Sequence, residues 1–406
     1  MFMLKRIIAI GVGVTAVTAL AWWGISPIIS HVPQGITVSN AVQDLGITAK
    51  SAFLMEANSG KTLFAKDEHK RLPIASMVKI TTLAVIFDAL QNGEITMADK
   101  VTASDQASGM GGSQAFLDRQ SEYTVEQLVK SIIVASANDS SVAMAEHISG
   151  SESEFVNRMN ELAARLGMEN TNYVNCTGLP AANSYSSAAD VAKVYAYLMK
   201  SPFYNYKVDG TEMNKVWMYD LTHPSGRVTG LTNTNRHARF FNGVLGGKTG
   251  FTSEAGHCIA VAAERGSIKP IAVIIGAKDS TTRFHESGEL MNHVFDGYIN
   301  KLIVDSGLKL GVINLKKSMQ DKVEVFAREN FFDLVKKGDT SAEPTVTVEF
   351  YDGLRAPIKR DTPLGKIIVT DEGVVVREID IVSGVDIDGM NFFDSIKKVT
   401  RNFKLA

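Results

Sequence analysis

Ser76-Met77-Val78-Lys79, followed along the chain by Ser136-Ala137-Asn138 and then Lys248-Thr249-Gly250, is the ordered set of segments on which the reading of this sequence turns. A serine hydroxyl attacks a carbonyl only with a base beside it. Three residues apart on a helix, Ser76 and Lys79 share one face, so the amine reaches the hydroxyl. Burial and neighbouring positive charge lower a lysine pKa until the neutral amine can serve as that base. Ser136 offers a second hydroxyl to relay protons, and Asn138 an amide to hold a peptide group. Lys248 and Thr249 offer a cation and a hydroxyl on what reads as a strand edge. Each segment alone is common. Together and in this order they point to acyl transfer through Ser76.

Outward from Ser76, the periodicity predicts one α+β catalytic unit. Ser51–Ala57 and Lys61–Ala65 read as strands joined by an Asn58-Ser59-Gly60 turn. After Pro73, the apolar positions Met77, Ile80, Leu83, Ala84, Phe87 and Leu90 recur at helical spacing until Gly93, with Ser76 near the first turn. Their wide apolar face predicts a buried central helix. Helices are expected over 125–134, 141–148, 152–166 and 189–199, the first delivering Ser136 to a helix–helix turn. Lys248-Thr249-Gly250 then leads into a strand over 256–264, Lys269–Ile275 returns antiparallel, and a helix from Thr282 to Leu302 closes the unit. A hairpin at the start and strands at the end imply an antiparallel sheet assembled from both ends of the segment.

Beyond Asp305 the texture changes. Lys322–Ala327, Thr345–Phe350, Lys366–Thr370 and Gly373–Ile381 are short β-rich runs punctuated by Pro344, Pro357 and Pro363, the pattern of a small all-β domain. The expected organisation is an export signal or membrane anchor over 1–30, a catalytic domain over 45–303, a β-rich domain over 304–386 and an amphipathic helix over 387–406. In the first of these, Lys5 and Arg6 precede an uncharged run of 23 residues from Ile7 to Ile29. Ala19-Leu20-Ala21 suits signal cleavage, whereas Trp22-Trp23 and the length of the run suit an uncleaved anchor. Both readings carry the rest of the chain out of the cytoplasm. In the last, Phe392, Ile396, Val399 and Phe403 form one helical stripe, with Lys397, Lys398, Arg401 and Lys404 off it. That pattern suits the surface of an anionic membrane.

A chain of 406 residues has room for at least two domains. Its net charge of −2 and 21% charged residues carry no nucleic-acid footprint. Cys176 and Cys258 fit no metal-ligand spacing and are expected as buried thiols, with a single disulfide as the alternative. No metal and no cofactor is called for.

The three segments are those of penicillin-binding proteins and class A β-lactamases. The chain further resembles the serine-type D-Ala-D-Ala carboxypeptidases, the low-molecular-mass penicillin-binding proteins, over roughly residues 49 to 386. The likeness lies in Ala49-Lys50-Ser51-Ala52, Asn58-Ser59-Gly60, Leu72-Pro73-Ile74-Ala75-Ser76, Tyr185-Ser186-Ser187-Ala188-Ala189-Asp190 and Lys248-Thr249-Gly250-Phe251-Thr252. In the β-rich segment it lies in Leu354-Arg355-Ala356-Pro357-Ile358 and Thr362-Pro363-Leu364-Gly365-Lys366. One departure is Ala137, where many members have glycine.

The resemblance implies a β-lactamase/transpeptidase-like catalytic domain that cleaves the terminal D-alanine of peptidoglycan stem peptides at the outer face of a bacterial cytoplasmic membrane. β-Lactams would bind it covalently. It implies Ser76 as nucleophile, Lys79 as base and Ser136 as proton relay. Asn138 would hold the donor backbone and Lys248 the local field. The backbone amides of Ser76 and Phe251 would form the oxyanion hole, and Thr249 and Arg283 would take the terminal carboxylate. Ser113 is a possible loop residue at the cleft, Asn233, Asn235 and Arg236 resemble bracing positions, and Asp190 reads as a helix-starting residue.

Two other enzymes and one non-enzyme share parts of this pattern. A class A β-lactamase needs a deacylating glutamate, and no Glu-x-x-Leu-Asn lies between Ser136 and Lys248. A D,D-endopeptidase would use the same machinery on cross-linked stems. A penicillin sensor or wall-binding module would not need the full catalytic set.

Overall fold

The computed structural model describes residues 45–320, 322–340, 343–371, 373–394 and 396, with the backbone of Ile8 and Ala9. The expected export or anchor segment therefore lies outside the described residues apart from those two. The same holds for Lys397, Lys398, Val399, Arg401, Phe403 and Lys404 of the tail. The described residues divide into two compact units between Tyr298 and Ile299.

The first unit is built on an antiparallel sheet of five strands. Ser51–Glu56 (β1) and Thr62–Lys66 (β2) form the expected hairpin, while Val244–Thr252 (β3), Gly256–Ala263 (β4) and Pro270–Ala277 (β5) follow nearly two hundred residues later. The order is β3-β4-β5-β1-β2, with β1 joined to β5 in the register Pro270↔Glu56 to Ile275↔Ser51. Both ends of the segment thus meet in one sheet. Every residue of β1 is buried, because helices cover both faces of the sheet and leave no polar side to alternate with. Lys248-Thr249-Gly250 does not merely lead into the strands. It lies inside β3, the sheet edge, because glycine at 246, 247 and 250 lets this strand lie against neighbours that a side chain would strike.

The helical layer holds Lys79–Gln91 (α1), Val125–Ala135 (α2), Asn138–Ser149 (α3), Glu152–Arg165 (α4) and Ala188–Lys200 (α5). All of α1 except Asp88 and Gln91 is buried, the environment its apolar composition requires. Ser76 lies just ahead of α1, in a 3-10 turn over Ala75–Val78 rather than in the α-helix itself. A 3-10 turn eclipses positions i and i+3, so the Ser76–Lys79 alignment survives the change. Helix α2 opens on a capping box, with Thr124 and Gln127 exchanging side-chain and backbone hydrogen bonds.

Ser280–Gly297 (α6) closes the unit. The expected continuation to Leu302 is wrong: Tyr298–Val304 is a strand paired with Phe331–Lys336. Gly297 weakens the helix there, and the β-branched and aromatic run after it favours extended backbone. An exposed hairpin of Met218–Thr222 and Val228–Thr232 was also absent from the sequence reading.

The second unit is β-rich, as its punctuation suggests. Ile8–Ala9, Thr345–Phe350, Gly365–Asp371, Val374–Val382, Val323–Ala327 and Lys309–Ile313 lie in that order in an antiparallel sheet. Val325, Leu364, Ile367, Val369 and Ile381 form the centre of its core.

Candidate active site

Ser76 sits where three segments converge. Ala75 is held at φ 48, and Gly178 packs so close that a Cβ there would lie 2.1 Å from the Ala75 carbonyl oxygen. A Cβ on Gly250 would meet the Ile74 carbonyl at 2.7 Å and the Ser76 nitrogen at 3.1 Å. The two glycines therefore let a loop and the edge of β3 close on the turn that carries Ser76.

The Lys79 side chain is fully buried at the start of α1. Its Nζ lies 3.2 Å from Ser76 Oγ, 2.6 Å from Asn138 Oδ1 and 2.5 Å from the Thr177 carbonyl oxygen. A neutral amine has two N–H bonds and one lone pair. The amide and carbonyl oxygens can take the two hydrogens, which leaves the lone pair for the Ser76 hydroxyl. Burial is the dominant cause that lowers the Lys79 pKa to about 7, opposed by the fields of Cys176 and Asp139.

Ser136 occupies the junction of α2 and α3 in left-handed backbone, φ 61 and ψ 34. A serine in this conformation is strained, and such strain gathers at functional sites. Its Oγ is buried with no hydrogen-bonding partner among the described residues. Two residues on, the Asn138 backbone N–H donates to the Ser113 carbonyl and Nδ2 to the Gly111 carbonyl, both at 2.7 Å. The buried Asp139 carboxylate accepts the Ala115 and Leu117 N–H groups. Segment 111–117, which contains Ser113, is thus fastened to the start of α3.

Along β3, Lys248 is buried, and its Nζ donates to the Thr249 carbonyl at 2.9 Å. Burial, then Lys79, then Arg283 push its pKa well below the ordinary lysine value. Thr249 Oγ1 donates to Thr234 Oγ1 at 2.8 Å. Arg283, on α6, sends Nη1 to the Gly250 carbonyl at 3.1 Å and the Cys258 carbonyl at 3.5 Å, while Nε is buried without a partner among the described residues. Burial lowers its pKa to about 10. Phe251 presents an exposed ring.

Direct hydrogen bonds therefore join Ser76, Lys79 and Asn138, and the fields of Lys248 and Arg283 reach into the same region. Asn235 and His237 brace the approach to β3: Asn235 Oδ1 accepts the His237 N–H, and the His237 ring pairs with Ser287. Asp190 lies in the first turn of α5, buried against the Asn170 N–H, Thr171 and Lys193. Both cysteines are free and buried. Sequence reasoning missed the Thr177 and Gly111 carbonyls, Gly178 and Thr234. Backbone carbonyls carry no residue-type signal, and Gly178 and Thr234 belong to no spaced pattern.

With this geometry in view, comparison with known proteins is decisive. A family model described as D-alanyl-D-alanine carboxypeptidase, Peptidase_S11, matches residues 37–279. The chain belongs to the D-alanyl-D-alanine carboxypeptidase family. A second model, the C-terminal domain of penicillin-binding protein 5, matches residues 298–388. Among D-alanyl-D-alanine carboxypeptidases, DacF of Bacillus subtilis is 36% identical over 87% of this chain and 90% of its own length. DacA of Haemophilus influenzae is 29% identical over 86% of this chain and 88% of its own. The crystal structure of penicillin binding protein 5 from Haemophilus influenzae superposes with a TM-score of 0.67 at 28% identity, covering 87% of this chain and all of that one. The activity of the chain is that of the carboxypeptidase family, hydrolysis of a D-alanyl-D-alanine terminus.

Proposed function

We propose that Ser76 is the acylated nucleophile and Lys79 its general base, in an enzyme that removes the terminal D-alanine from peptidoglycan stem pentapeptides. The observation that carries this reading is the buried Lys79 Nζ, 3.2 Å from Ser76 Oγ with its pKa lowered to about 7. Ser76 Oγ bonds to the carbonyl carbon of the penultimate residue as Lys79 takes the hydroxyl proton. The developing oxyanion would receive the backbone N–H groups of Ser76 and Phe251, an arrangement contributing about 3–4 kcal/mol per donor. The close approach of Gly250 to the Ser76 nitrogen supports that pairing.

Ser136 relays the proton to the departing D-alanine amine, with Lys248 holding the field, and its unpartnered Oγ suits that task. Asn138 fixes Lys79 through Oδ1 and faces the donor's peptide backbone. Thr249 and Arg283 take the terminal carboxylate. Water then attacks the acyl carbonyl as Lys79 takes its proton, and Lys79 passes that proton to the Ser76 oxygen as it leaves. A β-lactam presents a strained amide to the same nucleophile and stays attached as a stable acyl-enzyme.

The test is incubation with a stem pentapeptide, which should lose one D-alanine by mass, and with labelled penicillin, which should attach covalently. Ser76→Ala should abolish both. Labelling that survives in that variant would identify a different nucleophile.

The same reading places the enzyme in the bacterial envelope, exported through residues 1–30 and acting from domain 45–303, with the β domain 304–386 ahead of the tail. The exposed Phe392 and Phe393 rings support a membrane-associating helix in the tail. The expected start of that helix at 387 is too early, because Ile387 is buried in the β core and bridged to Ile358, and helix begins at Phe392. A chain starting after Ile29 should co-sediment with anionic vesicles, and the same chain ending at Val385 should not. Equal sedimentation would remove the tail from that role.

A further inference from the structure

One rung along the sheet from Gly250 and Cys258, Phe251 and His257 face each other across β3 and β4. Their rings are stacked, centroids 4.3 Å apart and planes 29° from parallel. The rung beside them gives both its carbonyls to Arg283, since Nη1 donates to Gly250 and Cys258. Two buried polar atoms on these neighbouring side chains, His257 Nδ1 and Arg283 Nε, have no hydrogen-bonding partner among the described residues. Buried polar groups are as a rule satisfied, and exceptions call for an explanation. A ligand that offers acceptors to both nitrogens supplies one. The exposed Phe251 ring stacked on His257 borders the place where such a ligand would lie.

We propose that His257 is a specificity-determining residue for the terminal carboxylate of the donor peptide. As neutral imidazole it seats the Phe251 ring. As imidazolium it turns Nδ1–H toward the carboxylate and joins Arg283 on the anion. The proposal rests on the reading of Arg283 as carboxylate partner.

The charged groups that bear on His257 come from α6 and its N-cap: Arg283 opposes protonation and Asp279 favours it. The residues paired with it on the flanking strands, Phe251 of β3 and Ala277 of β5, are uncharged. Burial is the largest cause holding the imidazole below its ordinary pKa, followed by Arg283. Both causes favour the uncharged ring in the free enzyme. A bound carboxylate removes part of both penalties, because it neutralises Arg283 and accepts from Nδ1–H. Carboxylate binding and proton uptake from solvent at His257 must then favour each other by the same factor.

The experiment uses the Ser76→Ala chain, which holds peptide without turnover. The imidazole of His257 is followed through a pH titration by ¹⁵N NMR, its signal assigned by loss in His257→Phe, a change that keeps an aromatic partner for Phe251. A saturating D-Ala-D-Ala peptide should raise the His257 midpoint, equivalent to affinity roughly three- to tenfold tighter on the acid side. The same peptide with a C-terminal carboxamide should leave the midpoint in place, and His257→Phe should remove the pH dependence of affinity. A midpoint that does not move, or moves equally with acid and amide, overturns the proposal. Arg283→Ala, tested in parallel, separates the two readings. If it abolishes the preference for acid over amide, and peptide leaves the His257 midpoint fixed in the chain that retains Arg283, only the His257 proposal falls. If it leaves that preference intact, the reading of Arg283 has failed as well.

Discussion

Among the described residues both units carry exposed ion pairs, but only the catalytic unit also buries cations without one. In the catalytic unit, Lys79, Lys248 and Arg283 are all buried, and none forms an ion pair among the described residues. In the β unit, cations such as Lys309, Arg328, Lys366 and Arg377 lie on the surface with Glu324, Asp380, Glu378 and Glu329. Exposed pairs of this kind contribute little to stability because water and salt screen them. Buried unpaired cations are costly, and a group so placed tends to lose its proton. The lowered pKa values of all three follow from that cost. Surface pairing is thus common to both units, and burial of unpaired cations is particular to the catalytic one among the described residues.

The contrast breaks first at Lys79. Lys79→Ala should reduce penicillin acylation by roughly 10²- to 10⁴-fold, the range for a lost general base, with the circular dichroism spectrum kept. On the proposed mechanism the neutral amine is the active form. Acylation should therefore rise with pH and level off above a midpoint near the lowered value of about 7. A rate that is flat from about pH 5 to 9, across the range where that amine titrates, would mean that Lys79 is not the base.

A smaller effect is expected at Arg283. Arg283→Ala should lower kcat/KM for a D-Ala-D-Ala peptide by about tenfold or more, the scale of a lost charge-assisted hydrogen bond. Penicillin acylation should fall less, since ring strain drives that reaction in part. Equal losses for the two substrates would take Arg283 out of the site.

The smallest effect belongs to the β unit. Lys366→Ala removes an exposed partner of Glu378 and should leave both the urea midpoint and carboxypeptidase turnover unchanged within error. A clear loss of stability would show that surface pairing matters here more than its exposure implies.

Much of this molecule was legible before its structure. The hairpin 51–66, helices 125–135 and 152–165 and the late strand pair are written in local terms: apolar period, capping residues and turn residues. The helix that was expected to reach Leu302 shows the limit. Its apolar spacing continues past Gly297, and only pairing with Phe331–Lys336 makes the strand the better state for Tyr298–Val304. The Met218–Thr232 hairpin was missed for a related reason. Each strand buries a single leucine, Leu221 or Leu231, while the apolar Met218 and Val228 face outward, so the hydrophobic pattern does not mark the strands.

By itself, the sequence determined the family-specific segments and the order in which their candidate side chains come. Ser76, Lys79, Ser136, Asn138 and Lys248 are proposed from residue type and spacing, which are properties of the covalent chain. Only the tertiary structure decided how those groups are tuned. The Thr177 carbonyl on Lys79, the left-handed backbone of Ser136 and the approach of Gly250 to Ser76 join residues far apart in sequence. A lysine pKa near 7 likewise depends on how much water the fold excludes around one nitrogen. Burial is a property of the packed chain, and no local pattern of residues specifies it.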